Sequence, residues 1–232
     1  MKKYTSFIFC TSALLALPSS AAILVAGWDT FPNFAESPPT HLDENTTAIM
    51  SGSTTGGAWN AWSNNDWGAS TDGTFGTLSP TVATATTSTS GRANLSLNRS
   101  AQPGTLTFTL TNDSAEDRLM EGFYFDAVHF RPESADTWTL SFGGAISGAD
   151  VSGSLTQGQM MNVDAEDRNW GIDLTNLTDN VWEAGEDVIL TLTFDGGPAD
   201  AATGGGHETL VDNIGITIVP EPSGLQYRQV AV

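Results

Sequence analysis

Apolar and polar residues alternate one for one in several stretches of the chain. The clearest stretch is GTLTFTLTND at 104–113, where leucine and phenylalanine alternate with threonine. The same alternation returns in DTWTLSFGG at 136–144 and in EDVILTLTFDGG at 186–197. Successive side chains of a strand point to opposite faces of its sheet, so each stretch predicts a half-buried antiparallel strand.

Six weaker stretches bring the prediction to about nine strands. They are AILVAGW, TAIMSG, RANLSLN, MEGFYFDAVHF, RNWGIDLTN and TLVDNIGITIV. No window of a dozen residues keeps apolar side chains at helical spacing, and Gly, Pro, Asn and Asp separate the strands. Without crossover helices the fold class is all-β, and we predict a single antiparallel two-sheet β-sandwich of jelly-roll-like topology over 23–219. The Thr-rich stretch 79–91 fits either a linker or an edge strand.

Residues 1–22 have the composition of a signal peptide. Two lysines are followed by an apolar run from Phe7 to Leu17 and then by small residues. The apolar run is shorter than the roughly 20 residues that a membrane-spanning helix needs. Ser20 and Ala22 suit cleavage before Ile23, and cleavage one residue earlier is the near alternative. We therefore expect an exported protein.

Cleavage would change the charge and the cysteine content. Both lysines and the single cysteine, Cys10, lie in the leader, which leaves six arginines against 27 acidic residues and a net charge of −21. Such a surface repels nucleic acid and anionic membranes, so we expect neither as a partner. Two simple explanations of the acidity are solubility in a salty medium and repulsion between the protein molecules. That repulsion predicts a monomer. A cysteine-free exported domain must be stabilised by packing or by bound metal.

Three tryptophans are concentrated in GGAWNAWSNNDWGASTDGTFG at 56–76. Trp59, Trp62 and Trp67 lie among Asn, Ser and Gly, a composition that offers aromatic faces and hydrogen-bonding groups to sugars. One hypothesis is a glycan-binding loop, with extracellular polysaccharide as the partner. The alternative is that these indoles close one end of the core. Trp138, on the apolar side of its own alternating stretch, is predicted to be in the core.

Asp212 interrupts an otherwise apolar row of side chains. It has the parity of Leu210 and Ile214 in TLVDNIGITIV, so the alternation predicts that it points inward. A buried carboxylate must be paired, hydrogen-bonded or bound to metal, and carboxylate oxygens suit Ca²⁺. We expect Asp29 or Glu36 as its partners, because terminal strands often adjoin in sandwiches. The alternative is an aspartate that accepts backbone N–H bonds at a strand end or at the solvent rim.

The sequence contains little that indicates catalysis. His41, His129 and His207 lack zinc-ligand spacing, and no Gly-x-Ser-x-Gly elbow is present. We therefore expect no catalytic residues. A glycan-acting hydrolase stays open as an alternative, because 27 acidic residues allow many carboxyl pairs and only the fold determines which of them face each other.

The segment VDNIGITIVPEPS resembles the closing strand and sorting motif of exported bacterial PEP-CTERM proteins. The interior is similar to β-sandwich members of that group in STDGTFGTLS, LTFTLTNDS, FYFDAVHF, LTD and AGEDVILTLTF. The resemblance implies location at the cell envelope or in the extracellular polymer matrix, and recognition by an exosortase. The motif residues are Val219, Pro220, Glu221, Pro222 and Ser223.

The tail at 220–232 departs from this pattern. The ten residues SGLQYRQVAV after Pro222 are too few and too polar to cross a membrane, and a truncated or frame-shifted reading would look the same. We therefore expect a released chain with no stable membrane anchor. The leading hypothesis is a secreted, non-catalytic β-sandwich of the cell surface or extracellular matrix. Its alternatives are a carbohydrate-binding module supported by Ca²⁺ and a polysaccharide-acting hydrolase.

Overall fold

The structure is a computed structural model that describes residues 22–29, 31, 36–54, 59–62, 94–98, 103–158, 163–197 and 208–219. The described residues form fourteen strands, one short helix, α1 (Ala165–Arg168), and a 3-10 turn at Leu174–Asn176. The strands are β1 (Ile23–Trp28), β2 (Glu36–Ser37), β3 (His41–Leu42), β4 (Thr46–Thr54), β5 (Trp59–Trp62), β6 (Asn94–Asn98), β7 (Gly104–Asn112), β8 (Arg118–His129), β9 (Thr137–Gly144), β10 (Val151–Ser154), β11 (Asn169–Asp173), β12 (Val181–Trp182), β13 (Asp187–Asp195) and β14 (Glu208–Val219).

These strands form two antiparallel sheets. Sheet A has the order β11–β8–β14–β1–β3, with β12 on β8, β6 on β14 and β5 on β6. Sheet B has the order β10–β9–β13–β7–β4–β2. Because the chain passes from sheet to sheet between β7, β8 and β9, and again between β13 and β14, the predicted β-sandwich is confirmed. Every predicted stretch contains a strand, and the remaining strands have only two or four residues, too few to show alternation.

The predicted alternation becomes the packing between the sheets. Leu106, Phe108 and Leu110 of β7 are fully buried, while the threonines between them are half-exposed. Aromatic rings with neighbouring centroids 5.1–5.8 Å apart continue through the core; they belong to Trp28, Phe108, Phe123, Phe125, Trp138 and Trp170. Trp138 is 3% exposed, as predicted. The outer face of sheet B carries mostly Thr and Ser, with Ile49 and Ile189 exposed among them.

Strand β14 is the central strand of sheet A. It pairs with β8 along one edge, and with β6 and then β1 along the other. Its outer side is covered near the beginning, where Leu210 packs with Val128 and Val163 in a second, smaller apolar cluster. Every residue of β14 from Glu208 to Ile218 is buried.

A β-bulge in β14 corrects the predicted direction of Asp212. Asn213 and Ile214 together face only Phe125 of β8, because Asp212 pairs with Asp126 and Gly215 pairs with Tyr124. Asn213 has a φ of 48°, the left-handed conformation that asparagine tolerates better than most residues. The extra residue shifts the parity, so Val211, Ile214, Ile216 and Ile218 join the core while Leu210 and Asp212 face outward. Asp212 is still buried, at 1% exposure.

Several predicted segments lie outside the described residues: the signal peptide up to residue 21, the Thr-rich stretch 79–91, and Pro220, Glu221, Pro222 and Ser223 of the sorting motif. Val219, the first residue of that motif, ends β14. In the described part of the chain no helix is long and apolar enough to span a membrane.

Candidate functional site

Trp59 belongs to the core and cannot stack on a sugar at the surface. It begins β5 with no exposed area, and its Nε1 donates a hydrogen bond to the carbonyl oxygen of Thr105 at 3.0 Å. Its ring meets Phe194 edge to face, with centroids 5.8 Å apart. The hypothesis of a glycan-binding Trp59 is thus corrected in favour of the core alternative. Trp62 ends β5, and its side chain and the whole of Trp67 lie outside the described residues.

The bulge in β14 brings acidic side chains together on the outer face of sheet A. Asp212 and Asp126 are direct register partners. Asn213 connects them, because its N–H donates to Asp212 Oδ1 at 2.9 Å and its Nδ2 donates to Asp126 Oδ2 at 2.8 Å. Like charges directly opposite each other destabilise a sheet, so this pair needs a source of positive charge or a shared proton.

Asp29 lies at the same bulge. It follows Trp28, whose register partner is Ile214, and it is 1% exposed. The other predicted partner, Glu36, lies in β2 at the edge of sheet B, and its side chain is not among those described. Arg168 is 2% exposed and precedes Asn169, the register partner of Asp126, so a buried guanidinium lies one residue from this row. Over the described ranges, no three His, Cys, Asp or Glu side chains are grouped to hold a metal ion.

A groove of about 310 Å³ opens on the outer face of sheet A, where β8 meets β11. Tyr124 contributes an aromatic ring, and Glu121 and Asp173 contribute carboxyl groups; Gly171, Ile172 and Thr175 complete the lining. Tyr124 lies between Phe123 and Phe125, which face the core, so its own side chain is on the outer face. The groove combines one aromatic surface with several hydrogen-bonding groups.

The carboxylate of Asp173 is fixed by its own turn. Its Oδ1 accepts hydrogen bonds from the backbone N–H of Thr175 at 2.9 Å and from Thr175 Oγ1 at 2.6 Å. Its Oδ2 accepts one from Asn176 Nδ2 at 2.7 Å. These bonds, led by that from the Thr175 hydroxyl, hold the pKa of Asp173 below its usual value. The Asp173 carboxylate therefore stays charged at neutral pH.

Glu208, at the start of β14, has the opposite property. It is 3% exposed, and its burial raises the pKa of the carboxyl group, an effect that the charge of Arg131 partly offsets. It is not among the residues that line the groove. Glu208 therefore affects stability rather than the chemistry of the groove.

Stability should decrease as the pH rises from about 4.5, the ordinary pKa of a glutamate, through the raised pKa of Glu208 in the folded state. The folded state holds this proton more tightly than the unfolded state does, so deprotonation favours unfolding. Glu208→Gln should remove this part of the pH dependence. The gain in the free energy of unfolding of the variant over wild type should therefore be larger at pH 7 than at pH 4. Urea unfolding of both proteins from pH 4 to 8 measures the difference, with the exposed Glu183→Gln as the matched control. Equal pH slopes for wild type and Glu208→Gln would contradict the prediction.

The two described histidines are bound to backbone carbonyls. His41 Nε2 lies 3.2 Å from the carbonyl oxygen of Leu24, and His129 Nδ1 lies 3.3 Å from that of Arg131. His207 is outside the described residues. Neither described histidine is among the residues that line the groove.

Sequence reasoning missed Tyr124, Glu121, Asp173 and Asp126. The signal for Tyr124 was present in EGFYF, where glycine precedes tyrosine by two positions on the same strand face. No local signal joins residues 121–126 to residues 171–175 or 212–215, because only strand register brings them together.

Comparison with known proteins gives similarity to solved structures. No protein-family model matches the chain, and no curated protein sequence matches it. Among solved structures the chain is similar to TmCBM61 in complex with beta-1,4-galactotriose, with 12% identity and a TM-score of 0.36. The similarity covers 72% of this chain and 86% of that chain.

Proposed function

We propose that the protein is an exported, non-catalytic β-sandwich of the bacterial cell surface or extracellular polymer matrix. The leader at 1–22, the cysteine-free acidic mature chain and the sorting-like motif at 219–223 support export. The observation that supports a non-catalytic role is the hydrogen bonding of the Asp173 carboxylate. Thr175 and Asn176 of its own turn donate three hydrogen bonds to its two oxygens, so this carboxylate of the groove is held in place by the local structure.

Fractionation of a Gram-negative host that expresses the full chain tests this function. We expect the protein in the medium or the exopolymer fraction, with an N-terminus at Ile23 or Ala22. We also expect the purified protein to release no reducing ends from matrix polysaccharides. An uncleaved cytoplasmic product would contradict export. Reducing-end release that disappears in Glu121→Gln or Asp173→Asn would establish the hydrolase instead.

A second candidate, carbohydrate binding supported by Ca²⁺, is favoured by the Asp126–Asp212 pair. The side chains at the bulge present oxygen donors, as a calcium ion requires. Asn213 Oδ1 is one of them: the residue is 6% exposed, and this atom accepts no hydrogen bond from the described part of the chain. Asp126, Asp212 and Asn213 would hold the ion, and its charge would reduce the repulsion between the two carboxylates.

A further inference from the structure

The ring of Tyr124 lies against the backbone of its own strand. A Cβ atom placed on Gly122 would be 2.5 Å from the Tyr124 hydroxyl and 2.6–2.7 Å from ring carbons Cε2 and Cζ. Real Cβ contacts of that length do not occur, so only glycine at 122 lets the ring occupy this position. One side of the ring is thus supported by the sheet, and the partly exposed remainder faces the groove.

The strand positions beside Tyr124 carry no side chains. Its register partners are Gly171 on β11 and Gly215 on β14. Gly171 is exposed and lines the groove. The far end of the ring lies over Gly122, whose register partners are Asp173 and Thr217, so bare backbone borders only the Cβ end of the side chain. A flat aromatic surface suits the apolar face of a pyranose, and the carboxylate of Asp173 lies beside the far end of this ring.

The polar groups of the groove are mainly acceptors. Glu121 Oε2 is buried and has no hydrogen-bond partner in the described ranges. Asp173 uses three of about four acceptor positions within its turn, which leaves one for a ligand. A ligand that fits must therefore donate hydrogen bonds, and two carboxylates at the site disfavour an anionic ligand. Hydroxyl groups of an uncharged sugar satisfy both requirements.

We propose that the groove between β8 and β11 binds one sugar residue of a neutral polysaccharide. The sugar ring stacks on Tyr124, and its hydroxyl groups donate hydrogen bonds to Glu121 and Asp173. The site deepens the proposed function and rests on it, since it names the class of matrix polymer that the non-catalytic protein holds. Neither Trp59 nor the bulge at Asp212 takes part in this contact.

Affinity electrophoresis with polymer cast into native gels tests the site. The neutral probes are dextran, galactomannan and mixed-linkage glucan, and alginate is the anionic probe; every gel is run with and without EDTA. We expect retardation by at least one neutral polymer and none by alginate. Tyr124→Ala should weaken the retardation about tenfold or more, whereas Tyr124→Phe should retain it because stacking needs only the ring.

Gly122→Ala provides an independent variant. It keeps the tyrosine but displaces its ring, so binding should weaken while the circular dichroism spectrum stays that of a β-sandwich. Ile189→Ala, on the exposed face of sheet B, is the matched control and should bind as wild type does. If Gly122→Ala does not fold, the contrast between Tyr124→Ala and Tyr124→Phe still tests whether the ring of Tyr124 binds the polymer.

Three results would overturn the proposal: no retardation by any neutral probe, equal retardation of wild type and Tyr124→Ala, or retardation by alginate alone. Each of them leaves export and the lack of catalysis standing, because those are measured by fractionation and by reducing-end release. Conversely, polymer cleavage that requires Glu121 would overturn the proposed function even if Tyr124 binds the sugar.

Discussion

Replacing Trp59 with alanine is expected to lower the free energy of unfolding by about 3–5 kcal/mol. The indole is fully buried between the sheets, packs edge to face on Phe194 and donates a hydrogen bond to Thr105. The variant loses this apolar contact, leaves a cavity and removes the donor for a backbone carbonyl. Because whole domains are stable by only about 5–15 kcal/mol, the loss is large.

Urea unfolding followed by circular dichroism measures this loss, since far-ultraviolet ellipticity reports the sheets independently of the missing indole. Trp59→Phe is the matched variant: it retains an aromatic ring and loses only bulk and the N–H group, so it should cost clearly less than alanine. If Trp59→Ala unfolds at the wild-type urea concentration but no longer binds any polysaccharide, the glycan-binding hypothesis for Trp59 is restored and the core assignment fails.

Millimolar Ca²⁺ is expected to raise the midpoint of thermal unfolding by about 5–10 °C after treatment with chelator. A ligand that binds only the folded state stabilises it by about 2.7 kcal/mol at one hundred times its dissociation constant. The ion would offset the repulsion between Asp126 and Asp212, which face each other across β8 and β14. Sodium chloride of equal ionic strength should not produce the shift, because dissolved salt screens buried charges much less than exposed ones.

Asp212→Asn is the sharpest variant for this test. It retains an Oδ1 that can accept the backbone N–H of Asn213, so the bulge can persist, but it removes one charge of the pair. The calcium shift should disappear in Asp212→Asn and persist in Asp150→Asn, which changes an exposed aspartate on a loop. An equal shift in Asp212→Asn and wild type would exclude Asp212 as a ligand. If wild type shows no shift, a shared proton or the buried Arg168 would balance the charges of Asp126 and Asp212 instead.

Much of the fold was predictable because strand formation is local. In GTLTFTLTND the alternation of apolar residues with threonine determines both the conformation and the buried face, and the structure buries Leu106, Phe108 and Leu110 as expected. Short strands such as β2 and β12 have no alternation to detect and exist only because a longer neighbour offers hydrogen bonds. The same local rule failed at Asp212, because one extra residue in the bulge exchanges the faces of a strand.

The candidate sites were less predictable, because their residues come from strands distant in sequence. Asp29 and Asp212 could be proposed as neighbours since terminal strands often adjoin, but Asp126 enters that row only through the register of β8 with β14. Trp59 carried the composition of a sugar-binding loop, and its contact with Phe194 on the opposite sheet decided otherwise. Tyr124 appeared as one aromatic residue among several in FYFDAVHF until the register placed Gly171 and Gly215 beside it.

The sequence by itself determined the strand pattern, the all-β class, the acidity and the resemblance to exported proteins, since these depend on composition and on residues near each other in the chain. The tertiary structure alone decided that Trp59 is buried, where Asp212 points and which side chains share the groove. The physical reason is that hydrogen-bond register and a bulge act between strands far apart in the chain, such as β1 and β14. Shifting the register by one position, or inserting one residue in a bulge, turns the side chains of a strand to the opposite face.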